Sequence, residues 1–168
     1  EDSIFLDPRN IELGARIVTN LEKLYLSLKK LGLQSADKNE YYKFSHEIGI
    51  PQKNTDKLQN KLFGIECNFD ELNAIDFKKG CYVGQENTAR IKLKDKLNKR
   101  LLPIEVIEGD LDNDVISIEK DKIGKILIND NYPYALIKVK NEKFDFDKTF
   151  NCGSAKVKIK KPNWLQIT

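Results

Sequence analysis

Gly80 to Glu86 packs two glycines, a cysteine, a tyrosine and a Gln-Glu pair into seven residues, inside the longer run Asp76-Phe77-Lys78-Lys79-Gly80-Cys81-Tyr82-Val83-Gly84-Gln85-Glu86-Asn87-Thr88-Ala89-Arg90. The glycines admit backbone conformations closed to other residues, as a loop requires. From Gln85 onward no breaker occurs, Glu86 falls in a first turn and Lys92 near an end, so the loop is expected to become a helix. Cys81 then stands just ahead of a helix N-terminus beside Lys78 and Lys79. Both stabilise a thiolate and point to nucleophile or metal-ligand chemistry. The competing reading of the residues alone is that Cys81 is a small buried hydrophobe.

Composition bounds the alternatives. The 168 residues suit one domain with a real core or two small ones, and 40% hydrophobic with 33% charged residues describe a globular chain. A net charge of +3, spread along the sequence with four arginines (Arg9, Arg16, Arg90, Arg100), argues against a dedicated nucleic-acid surface. No apolar run approaches bilayer length and the start carries no secretion signal, so neither membrane nor secretion is expected. The expected location is intracellular, taken as cytoplasmic. Cys67, Cys81 and Cys152, an odd number at wide spacings, read as reduced thiols rather than a disulfide framework or closed zinc site. No methionine occurs, which marks a trimmed chain or the C-terminal part of something longer.

The positioning elements follow from periodicity. Asp7-Pro8-Arg9 leads through Leu13-Gly14 into an extended Ile17-Val18. Leu21, Leu24, Tyr25, Leu28 and Leu31 predict a scaffold helix capped by Asn20 and stopped at Gly32. A second helix spans Glu40 to Ile48, with Tyr41, Phe44 and Ile48 on an apolar face, Glu47 as a ligand-contact candidate and His46 facing solvent. Residues 52 to 61 read as loop, and a short helix capped by Asn68 or Asp70 is expected over 70 to 75. From Lys99 the texture turns to short β-rich runs (101–107, 115–118, 123–128, 134–139, 155–159) separated by turn residues, which predicts five or six strands in a small antiparallel barrel or sandwich. Lys156, Lys158 and Lys160 read as the wet face of an edge strand. The fold class is therefore α+β, with a boundary near residues 97/98.

Lys79-Gly80-Cys81-Tyr82-Val83-Gly84-Gln85-Glu86 resembles the Lys-Gly-Cys-aromatic-x-Gly-Gln-Glu motif of the YgfZ family. These are GcvT-like folate-binding proteins that assist iron-sulfur cluster assembly and repair, relatives of the glycine cleavage T protein. Asp7-Pro8-Arg9 with Leu13-Gly14, Glu47-x-Gly49-Ile50-Pro51 and the C-terminal barrel agree with it. The resemblance covers nearly all of the chain and corresponds to the later half of the family's length. It implies that residues 1–97 belong to a GcvT-like folate-binding domain carrying the motif, and 98–168 to the barrel. It implies Cys81 as functional thiol and ligand to a shared iron-sulfur cluster, with Lys79, Gly80, Tyr82, Gly84, Gln85 and Glu86 shaping its loop. Tyr41 would stack on a pterin and Glu47 bond its nitrogens, with tetrahydrofolate as cofactor completed by the family's N-terminal half. Ser45 stands where relatives often carry arginine. The implied partners are A-type iron-sulfur carriers and cluster-dependent client enzymes. The implied role is a non-catalytic accessory factor, the alternatives being an aminomethyltransferase like the T protein, or a binding module without small-molecule chemistry.

Overall fold

The computed structural model describes residues 3–80, 86–93 and 97–166. Among them, β1 (Ser3–Leu6) and β2 (Ala15–Val18) form an antiparallel ribbon, followed by α1 (Leu21–Lys30), α2 (Lys38–Glu47) and α3 (Glu86–Leu93). Six further strands follow: β3 (Lys99–Glu108), β4 (Val115–Ile118), β5 (Asp121–Ile128), β6 (Tyr134–Lys138), β7 (Thr149–Cys152) and β8 (Ala155–Ile159). They close into an antiparallel barrel in the order β3-β6-β5-β4-β7-β8. The architecture is mixed α+β.

Period-two patterning explains the barrel. In β8, Ala155, Val157 and Ile159 point inward while Lys156 and Lys158 point out, and β5 and β6 supply Ile123, Ile126, Ala135 and Ile137 to the same interior. Long β3 turns the corner by pairing with β6 through its first half and β8 through its second, with a bulge between Val106 and Glu108. β8 is paired on both sides, so its lysines are not on a sheet edge as the sequence suggests. They face out of a closed sheet, where Lys156 pairs with Glu108 (2.8 Å) and Lys160 with Glu105 (3.5 Å). β7 is the strand that no β-rich run announces, because four residues with two polar members carry too little signal.

The helices differ in how they are used. α1 begins where Asn20 accepts a hydrogen bond from the Glu22 N–H, as its cap position predicts. It buries none of its residues: Leu21, Tyr25 and Leu26 are exposed, as are Ile4, Leu6 and Val18 of the ribbon. α2 is capped by Asp37 and packs through the face bearing Tyr42, Ser45 and His46; of the expected apolar face Ile48 packs, against Leu13, Ile50 and Leu72, whereas Tyr41 and Phe44 turn outward. His46 is correspondingly not a solvent-facing residue. It lies edge-on to Tyr134 (5.2 Å between centroids), and its Nε2–H donates to the Pro133 carbonyl at 3.0 Å.

Candidate functional site

The approach to the motif is built from turns. The short helix expected over 70 to 75 is absent, because Asn68 and Asn73 both take the left-handed conformation (φ 62° and 56°), which interrupts helical propagation at each end. Asn68 is not a cap either. Its side chain is buried and donates to the Leu101 carbonyl at 2.8 Å, while its oxygen accepts from Arg100 at 3.2 Å. Arg100 is only 9% exposed and forms a forked pair with Glu71 at 2.6 and 3.1 Å. With the Leu101 N–H donating to Glu66 O, these bonds staple the 65–71 turns to the start of β3. The sequence singles out Asn68 only as a cap and does not pair it with Arg100; the available signal is an arginine set against the buried pair Leu101-Leu102.

Beyond the staple, Asp76 accepts from the Lys78 N–H, an Asx turn that leads to Gly80 at φ 84°. Cys81, Tyr82, Gly84 and Gln85 lie outside the described residues. On the far side Glu86 opens α3 in an exposed first turn, as expected. Lys79 and Gly80 are exposed too. The environments of the two described cysteines disfavour the thiolate. Burial pushes the Cys67 thiol up to about 11, helped by Glu66, and burial with Asp112 and Asp114 also raises Cys152, whose Sγ–H donates to the Asn113 carbonyl. No group of histidine, cysteine and carboxylate side chains able to hold a metal ion occurs among the described residues.

Asp7, Arg9 and Arg16 form a second constellation. Asp7 is 2% exposed, and its carboxylate accepts two bonds from Arg9 (3.0 and 2.8 Å) and one from Arg16 (2.7 Å). Arg9, then Arg16, hold this carboxyl far below the ordinary carboxylate range against the opposing effect of burial. The Gln52 amide oxygen accepts from both terminal nitrogens of Arg9, and Tyr41 adds to Asp7 in keeping that guanidinium charged. Arg9 also lines a cavity of about 620 Å³ between the 51–62 segment, the 64–74 turns and Leu101, walled by Ile50, Leu58, Leu62, Phe69 and Leu72.

Tyr41 (39% exposed) and Phe44 (41% exposed) stand on the outer side of α2, and Glu47 is exposed at its end. Six residues of helix separate Tyr41 from Glu47 by about 9 Å along the axis and about 120° around it. They are on one element but not one face. Ser45 is buried and donates to the Tyr42 carbonyl.

The fold and these sites define a barrel-containing α+β protein in which Lys79, Gly80 and Glu86 are exposed, with no metal cage or His-based catalytic unit among the described residues. No protein-family model matches the chain. It is similar to the mitochondrial "iron-sulfur cluster assembly factor IBA57 homolog" of Dictyostelium discoideum, with 34% identity over 112 residues, 66% of this chain and 28% of the relative. The mouse and human IBA57 factors match at 34% over 105 residues and 31% over 102, again 28% of each relative. The homologues are thus iron-sulfur cluster assembly factors, and the chain spans about a quarter of the length of those it matches.

Proposed function

We propose that this protein is an accessory factor in iron-sulfur cluster assembly or repair, with the Cys81 thiol as its working group and tetrahydrofolate as its bound cofactor. The similarity to IBA57 factors carries the reading. In it, residues 1–97 contribute to a GcvT-like folate-binding domain, 98–168 form the barrel, and the protein acts in the mitochondrial matrix. The cluster is cargo. Cys81 ligates it together with a thiolate from an A-type carrier and passes it toward client enzymes, which suits a soft sulfur ligand. Lys79, Gly80, Tyr82, Gly84, Gln85 and Glu86 shape the loop around that thiol. Burial raises the Cys67 thiol to about 11 and raises Cys152 as well, which leaves Cys81 as the cysteine on which the reading rests.

For the folate, α2 is the element that offers contacts. Tyr41 and Phe44 offer aromatic surface and Glu47 an acceptor for pterin N–H groups, so the residue types fit. Tyr41 and Phe44 offer an open aromatic surface and Glu47 lies about 120° around the helix from Tyr41, whereas small-molecule sites bury most of their ligand, so further walls are required from residues outside α2. A bound folate would supply a planar ring for Tyr41 to stack on.

The experiment is anaerobic mixing of the protein with a cluster-loaded A-type carrier, following visible absorption and the mass of the complex, for wild type and Cys81→Ala. A shared cluster that disappears with Cys81→Ala is the expected result. Equal cluster handling by the variant removes the thiol from the reaction.

A further inference from the structure

We propose that the start of β3 and the turn closing β6 form a binding site for a small soluble ligand, held through its phosphate or diphosphate group. It is independent of Cys81. Asn98, Lys99, Lys138, Lys140 and Asn141 line an open cavity of about 430 Å³, and no carboxylate among the described residues lines it. Lys99 and Lys138 are partners in the β3–β6 register, so both side chains leave one face of the sheet with their Cβ atoms about 5 Å apart. Like charges set directly opposite each other destabilise a strand pair. Where β3 meets β8 the same strand does the reverse, setting Glu105 opposite Lys158 and Glu108 opposite Lys156, the latter pair in contact at 2.8 Å. Lys99 and Lys138 make no ion pair among the described residues.

The polar groups around the cavity are turned so that donors remain. The Asn141 N–H donates to the Lys138 carbonyl at 3.2 Å, which closes the turn and brings Lys140 to the same cavity. The Asn141 side-chain oxygen accepts from the Lys143 N–H at 2.9 Å, so its amide N–H groups are what this side chain can offer a ligand. The Asn98 backbone carbonyl already accepts from the Val139 N–H at 3.0 Å. Ammonium groups and an amide donor around a concave space call for an anion of more than one charge. Lysine meets phosphate as a point charge, whereas a planar carboxylate is gripped best by the arginine fork, and the neighbouring Arg100 is committed to Glu71. The cavity exceeds the volume of one phosphate group, which leaves room for a diphosphate or for the body of a phosphorylated small molecule. Its concave form suits such a ligand better than a flat bilayer does.

The test is titration of the protein with inorganic pyrophosphate at low salt, followed by calorimetry and by backbone amide NMR shifts. Saturable one-to-one binding is expected, weakening as salt is raised, with shifts centred on Asn98, Lys99 and residues 138–141. Lys99→Gln and Lys138→Gln should each weaken binding about fivefold, the scale of one exposed charge contact. Lys122→Gln, which removes an exposed lysine of β5 outside the cavity, should leave it unchanged. Without pyrophosphate both cavity variants should melt no lower than wild type, because the opposed charges are gone, so their weaker binding is not a loss of fold. Should one of them not fold, the other reads the same pair. No saturable binding, shifts centred elsewhere, or equal weakening by Lys122→Gln overturns the proposal. So does binding to vesicles containing phosphatidylglycerol without binding to pyrophosphate, which would assign the lysines to a lipid surface. None of these results bears on cluster handling by Cys81, which the Cys81→Ala comparison decides separately.

Discussion

Arg100 and Tyr134 both carry a polar group into the interior, and the protein treats them oppositely. The Arg100 guanidinium has the Glu71 carboxylate, the Asn68 amide oxygen and the Ile65 carbonyl around it. Arg100→Met would leave Glu71 and Asn68 without that donor, and breaking one side of a buried pair is costly. A loss of about 3 kcal/mol in the urea unfolding free energy is expected. The Tyr134 hydroxyl is buried and finds no hydrogen-bond partner among the described residues, and burial with help from Asp130 keeps it protonated far above the usual phenol range. Tyr134→Phe should thus be neutral or raise stability by about 1 kcal/mol, read from the same titration. A loss comparable to that of Arg100→Met would show that the hydroxyl has a partner, such as a buried water. Neither residue was legible in the sequence: an arginine opening a strand and a tyrosine inside one are indistinguishable from ordinary surface and core members until their neighbours are known. The Cys81 motif draws attention for the opposite reason, since its residue types are too concentrated for a simple turn, and Cys81 itself lies outside the described residues.

Elements announce themselves in the sequence when their period is unbroken, and fail to when asparagine intervenes. The barrel strands other than β7, with α1 and α2, fall close to where their apolar spacing places them, and α3 opens at Glu86 as the missing breakers predict. The run from Asn60 to Asn73 reads as helix or loop with equal ease, because asparagine serves as a cap, a turn residue or a left-handed residue according to context. Here Asn60, Asn68 and Asn73 all take the last role. Gly49 shows what a terminator does beyond ending its helix. It has φ 81°, and a methyl group there would meet Pro162 Cγ at 2.3 Å and Cβ at 2.9 Å, so α2 ends in direct contact with the chain leaving the barrel. Gly49→Ala adds left-handed strain to overpacking and should cost about 3 kcal/mol. Thermal unfolding checks this, and the open Gly32 position, where nothing lies within 4 Å, supplies the control because Gly32→Ala carries only the strain.

At the scale of the molecule, the helical part and the barrel meet along one seam. Trp164 Nε1–H donates to the Ile48 carbonyl at 2.7 Å, Leu13, Ile50 and Leu72 make a small core against Trp164, and His46 bonds Pro133. The ribbon and α1 lie away from this seam with their apolar side chains exposed, so the seam and the barrel carry the cohesion. Two titrating groups make that cohesion depend on acid in separate ranges. Burial lowers His46 below its ordinary 6.5, so the folded protein prefers the neutral ring while the unfolded chain binds the proton more readily. Its contribution is complete above pH 6.5 and is lost as pH falls through that value toward the lower folded one. Asp7 is depressed from 3.8 by Arg9 and Arg16, so its contribution is complete above pH 3.8 and is lost only below it. Urea midpoints measured from pH 7.5 down to 3 should therefore fall in two stages, the first from about pH 6.5. His46→Gln should remove that first stage alone, because a neutral amide can still donate to Pro133 and binds no proton. Asp7→Asn should remove the second and leave the first. A His46→Gln profile that keeps the full decline between pH 7 and 5 would transfer that acid sensitivity to a group away from the seam.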